Sequence, residues 1–153
     1  MTSKGVRPED VGIFCEAAGA FFEATTGARA QVRTAFQLRD GALGSRADFL
    51  GLIDIRGRYR GSVAFAAPRG LLSHVLLVLG SSDYSELSHR DVAGEIANQM
   101  AGYARRAFGE GLDIAVPRVL VREEPWTPPP RLFVIPMTWD RYEAQLLVDL
   151  AMA

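Results

Sequence analysis

SHRDVAGEIANQMAGYARRAF, residues 88–108, reads as one amphipathic helix, and the rest of the chain arranges itself around it. Advancing about 100° per residue, Asp91, Glu95, Asn98, Gly102 and Arg105 fall in one stripe, and Val92, Ile96, Met100, Tyr103 and Ala107 in the opposite one. The second stripe is an ordinary core face. The first departs from an ordinary solvent face in two ways. Asp91 and Glu95 are like charges four apart, a slightly unfavourable pair. Gly102 stands mid-helix, where glycine costs roughly 1 kcal/mol relative to alanine. A helix chosen for stability alone would carry neither. A glycine inside an exposed stripe does suit close approach by another molecule.

The elements on either side predict an α+β fold. Pro8, Glu9 and Asp10 announce a helix start, Val11, Phe14, Cys15, Ala18, Phe21 and Phe22 give it an apolar face, and Gly27 is a natural stop. From Ala30 the period shifts towards two: ARAQVRTAFQLR, with Val32 and Phe36 among the inward positions, then DFLGLIDIRG and YRGSVAFAAP around Arg56-Gly57-Arg58. These three segments predict a strand meander, the latter two forming a hairpin. RGLLSHVLLVLG contains a run that fits a buried strand, but its Pro68 start and Gly80 stop favour a short helix. Ser88 is placed to cap the 88–108 helix, with Asp91 three residues later completing a box-like pattern. That gives Asp91 a bland alternative to any functional role. PRVLVRE reads as a strand, EPWTPPPR as a stiff connector whose Trp126 lies back on the sheet, and the final 23 residues as a strand pair turning near Trp139-Asp140, with Pro136 marking an edge or a bulge. The expectation is one domain over residues 1–153, helices layered on an antiparallel sheet, with residues 1–7 flexible.

Composition narrows the functions. With 48% hydrophobic and 23% charged residues the chain is globular in character, and a scattered net charge of −1 lacks the electrostatic footprint of a nucleic-acid binder. Arg105 and Arg106 are a pair at a helix end, where they favour its dipole. The single Cys15, in an apolar stretch, reads as an inert thiol. His74 and His89 lie fifteen apart with no cysteine cluster or H-E-x-x-H spacing, so no intrinsic metal site is expected. No apolar run reaches membrane-spanning length and the N-terminus has no apolar signal core, so no membrane association and a cytoplasmic location are expected.

Read with its spacing, the central helix is D91-x-x-x-E95-x-x-N98-x-x-x-G102, followed by a Pro-Arg-Val segment at Pro117 to Val119. This resembles the CheC/CheX/FliY class of chemotaxis phosphatases, whose active helix carries a glutamate and an asparagine three apart. E-x-x-N alone is only moderately specific; the glycine spacing and the order of elements from Val11 to the C-terminal strands add to it. CheC-type proteins carry two such helices, whereas the first helix here offers Glu16-Ala17-Ala18-Gly19, with glycine where a second asparagine would stand. One intact site per chain is closer to the CheX pattern, and the resemblance implies a CheX-like fold and a homodimer.

The resemblance further implies hydrolysis of the aspartyl phosphate on a CheY-type receiver, with Glu95 and Asn98 as catalytic residues. The chemistry suits them. The reaction needs a water held in line with the scissile P–O bond and charge compensation on the phosphoryl oxygens. A receiver's own Mg²⁺ and lysine supply the latter, so no intrinsic cofactor is expected. A carboxamide, both donor and acceptor, can pin the water, which is the role implied for Asn98; Glu95 pairs with the receiver's lysine and fixes register. Gly102, with Gly94 at the margin, permits close approach of the partner, and Asp91 is a rim contact or the cap. Tyr84, Glu86 and His89 lie within a partner's reach, though residues so placed are ordinarily plain surface. The rival readings are a non-catalytic adaptor that binds a receiver without accelerating hydrolysis and, more remotely, a small-molecule sensor, which would need an internal cavity of several hundred Å³.

Overall fold

The alternating runs on either side of Arg58 pair as a hairpin that forms half the centre of the sheet. A computed structural model describes residues 8–39, 47–109 and 111–152, so the expected flexibility of residues 1–7 lies outside the described residues. The element order is α1 (Pro8–Thr26), β1 (Gln31–Val32), β2 (Phe36–Arg39), β3 (Phe49–Gly57), β4 (Tyr59–Ala67), α2 (Arg69–Val78), α3 (Glu86–Phe108), β5 (Leu112–Ile114), β6 (Arg118–Val121), β7 (Arg131–Trp139) and β8 (Tyr142–Met152). All strands belong to one antiparallel eight-stranded sheet, with β7, β8, β4 and β3 adjacent in that order at its centre. Each outer margin is built from two short strands: β1 and β2 both pair with β7, and β5 and β6 both pair with β3. The fold is the expected α+β arrangement in a single domain.

Alternation along β3 sorts its residues between two apolar layers. Phe49, Ile53 and Ile55 join the main core under the helices, with Phe14, Phe22, Leu71, Leu72, Ile96 and Met100. Leu50 and Leu52 join a smaller cluster with Ala64, Ala66, Leu132, Val134 and Leu147 on the helix-free face, where Leu38, Leu120 and Trp126 rest against it. Trp126 therefore folds back on the sheet as expected. Burying each of the large side chains contributes on the order of 1.5–3 kcal/mol. At Gly51 the backbone of α3 comes so close that a Cβ would lie 2.5 Å from the Ala93 carbonyl oxygen, so only glycine lets the helix settle on the strand.

Three expectations need correction. Residues 30–39 do not continue into a meander with the hairpin; they cross to β7, pairing Gln31 with Thr138 and Phe36 with Val134. Phe36 is not inward but 44% exposed, whereas Val32 does pack against the core. Pro136 is not on an edge, since β7 is paired on both sides. It sits opposite the break between β1 and β2, where residues 33–35 face 135–136 in the manner of a bulge, its carbonyl accepting from Arg33 N at 2.8 Å. The 69–80 segment is the helix its proline start favoured. Strand β5, only three residues long, has no counterpart in the sequence reading.

Candidate functional site

Helix α3 begins three residues earlier than its sequence suggested. Ser85 is the N-cap, its Oγ accepting from Ser88 N at 3.2 Å, and Asp83 Oδ1 accepts from Ser85 N at 2.9 Å. These bonds from the Ser85 N–H, and from the Ser85 and Ser88 hydroxyls, hold the Asp83 carboxyl below its ordinary pKa. Ser88 is thus inside the first turn, and Asp91 lies too far along the helix to complete a capping box. The bland role for Asp91 falls away: it is exposed, and among the described residues nothing pairs with it.

The helix entrance is fixed from below. His89 is buried, its Nδ1 donating to the Ser85 carbonyl at 2.8 Å and its Nε2 meeting the Ser73 hydroxyl of α2 at 2.6 Å. Its ring stacks on Phe49 at 5.8 Å. His89 is therefore a structural clamp and unavailable to a partner. Glu86 pairs with Arg69 at 2.8 Å, and Tyr84 is exposed.

Further along, the two stripes separate much as the periodicity predicts. Val92, Ile96 and Met100 are buried; Tyr103 is half-buried, and Ala107 is exposed, contrary to its expected place on the core face. On the outer face Glu95 is exposed and Asn98 half-buried, three residues apart and so on one side of the helix. Glu95 Oε1 accepts a 2.7 Å hydrogen bond from Gln99 Nε2. Among the described residues nothing bonds the Asn98 carboxamide. Gly102 follows in the same stripe, and a Cβ built there would meet only Arg106 Nη1, at 3.9 Å. The space above it is open.

Gly94 requires a different account. It is buried, and a Cβ on it would lie 3.1 Å from Val119 Cγ2 and 3.6 Å from Pro117 Cβ. The close approach it permits is by the chain's own 117–119 segment, not by a partner, which corrects the expected role. Val116, just before this segment in the chain, is 84% exposed. Gln99 and Val116 were not singled out from the sequence. The i, i+4 spacing of Glu95 and Gln99 was a usable signal for the first; exposure of Val116 follows from tertiary packing and has none.

On α1, Gly19 is covered by Arg29, while Glu16 stays exposed within an ion pair. Arg29 donates to Glu16 at 2.7 Å and Glu23 at 3.1 Å, and its guanidinium lies where a Cβ on Gly19 would be, 2.7 Å away. Only α3 presents an uncovered glutamate–asparagine pair among the described residues. Those residues also contain no group of three metal-binding side chains, and no described helix is long and apolar enough to cross a membrane.

This arrangement can be set beside known proteins. A family model described as chemotaxis phosphatase CheX matches residues 49–129, more than half the chain and all of α3. No curated protein matches the sequence. Similar solved structures include the chemotaxis protein CheX from Desulfovibrio desulfuricans (TM-score 0.80, 18% identity, covering 95% of this chain and 99% of that one). CheX from Vibrio vulnificus superposes with a TM-score of 0.76 at 21% identity, again over 95% and 99% of the two chains. The CheX–CheY–BeF₃–Mg²⁺ complex from Borrelia burgdorferi matches with a TM-score of 0.71 at 15% identity, over 95% and 99%. At these identities the structural likeness speaks for the fold alone.

Proposed function

The chain belongs to the chemotaxis phosphatase CheX family, and we propose that it hydrolyses the aspartyl phosphate of a CheY-type receiver domain in chemotaxis or related two-component signalling. One observation carries this reading: Glu95 and Asn98 share the outer side of α3, with open space at Gly102 one turn beyond. The complex of a Borrelia burgdorferi relative with CheY supports the choice of partner.

In the proposed reaction water attacks phosphorus, the P–O bond to the receiver's aspartate breaks, and inorganic phosphate and a free carboxylate result. The receiver's Mg²⁺ and lysine balance charge on the phosphoryl oxygens, and the chain brings no cofactor of its own. The Asn98 carboxamide, unbonded among the described residues, offers a C=O to accept from the attacking water and an N–H to fix its orientation. Glu95 has one carboxylate oxygen held by Gln99 and the other open to the receiver's lysine. That contact sets register more than affinity. Gly102 lets the receiver's surface approach the helix, and Asp91 lies at the rim of the contact. The proposal includes a cytoplasmic homodimer, whose state sedimentation of the purified protein checks.

The test follows phosphate loss from a phosphorylated receiver. Asn98→Ala lowers kcat by about 10²–10³, the usual loss when a positioned polar group is removed from a transition state, whereas Glu95→Ala acts mainly on KM. A receiver that binds but keeps its unaided phosphoryl lifetime would establish the adaptor instead. An Asn98→Ala protein as active as wild type would remove the mechanism.

A further inference from the structure

Beside the outer stripe of α3 an open groove of about 480 Å³ runs between α1 and α3. It exists because α1 turns short side chains, among them Ala20 and Ala24, towards the longer ones of α3. Phe21, Val92 and Ile96 make its walls apolar, and Leu79, 56% exposed, lines it from the end of α2. An apolar hollow with a polar margin is the usual anatomy of a protein contact. Here the margin is specific. Glu95 borders the groove, and Arg106 borders it eleven residues further along α3, about 16 Å away at 1.5 Å per residue. Arg106 rests over the Tyr103 ring at 5.8 Å and has no ion-pair partner among the described residues.

We propose that this groove is a second anchor for the phosphorylated receiver: an apolar side chain of the receiver seats between α1 and α3 while its lysine meets Glu95. The inference rests on the phosphatase reading, because Glu95 belongs to both surfaces and makes them continuous. It adds what that reading lacks, a source of affinity and of discrimination among receivers. The matching receiver surface carries a basic group, then an exposed aliphatic or aromatic side chain, then an acidic group opposite Arg106. Receivers without the apolar side chain are poor substrates even when their phosphorylation sites are identical.

Two variants and one spectrum test this. Leu79→Ser changes an exposed position, and Ala20→Trp fills the groove. Each raises KM for the phosphorylated receiver about tenfold, a typical interface-anchor effect, with kcat within about twofold of wild type. In methyl NMR spectra of the wild-type protein, Leu79, Val92 and Ile96 shift when receiver loaded with BeF₃ and Mg²⁺ is added. Unchanged KM in both variants, with turnover still lost in Asn98→Ala, overturns the groove and leaves the phosphatase standing. Methyl shifts without turnover support the groove and sink the hydrolytic reading. Neither shifts nor turnover removes both. Concentration-dependent shifts with no receiver present give the groove to a second copy of the chain and overturn the proposal.

Discussion

Gln99 donates a 2.7 Å hydrogen bond to the Glu95 carboxylate from one turn further along α3. The bond restricts a long, exposed side chain that would otherwise sample many rotamers, and it holds one oxygen while leaving the other available. Pairs of this spacing are worth about 0.2–0.5 kcal/mol. Gln99→Ala is therefore expected to raise KM about twofold and leave kcat unchanged. Steady-state kinetics separates the two, and a fall in kcat would place Gln99 among the groups holding the water.

Two glycines on the same helix predict opposite outcomes. Gly102 faces open space, so Gly102→Ala should strengthen the helix by up to about 1 kcal/mol and raise Tm by roughly 2–4 °C. Gly102→Leu should fold as well but bind the receiver poorly. Normal receiver affinity in the leucine variant would show that nothing approaches the helix at that point.

Gly94 faces its own chain. Gly94→Leu forces a side chain into Val119 and Pro117, and overpacking of this kind costs about 1–3 kcal/mol. Denaturant unfolding should show the loss directly. A leucine variant as stable as wild type but deficient in receiver binding would return Gly94 to the partner surface.

Asp149 supplies a pH dependence. Burial pushes its carboxyl above the ordinary aspartate pKa, because folding penalises the charged form. The folded state then holds this proton more tightly than the unfolded state. Its effect on stability is accordingly unfavourable at neutral pH and is relieved as pH falls through the raised value towards the ordinary one of about 3.9. Asp149→Asn should be more stable than wild type at pH 7, with the difference shrinking in acid. Melting curves at both pH values check this; a difference that stays constant would show that burial of the charge is not its source.

How much of this could be read from the sequence depended on the distance over which each feature is determined. The hairpin, the strand pair ending in β8 and the outward placement of Glu95 are set by local period and nearby turns, and all were legible. The pairing of residues 31–39 with β7 joins segments about a hundred residues apart, and alternation in one strand carries no record of its neighbour. Ser88 misled for a local reason: Ser85 and Ser88 are both good caps, and the Asp83 and Ser85 bonds decide between them. Gly94 could not be assigned from helical phase, because its position depends on which side of α3 the 117–119 segment occupies.

Arg29, lying across Gly19 between Glu16 and Glu23, has a consequence for counting. With Arg29 occupying the position over Gly19 and no asparagine on the first helix, each polypeptide on the proposed reading offers a single berth, so titration to saturation should end at one equivalent of activated regulator per chain. On that reading, a pathway that needed this protein to clear its signal faster would have to make more of it.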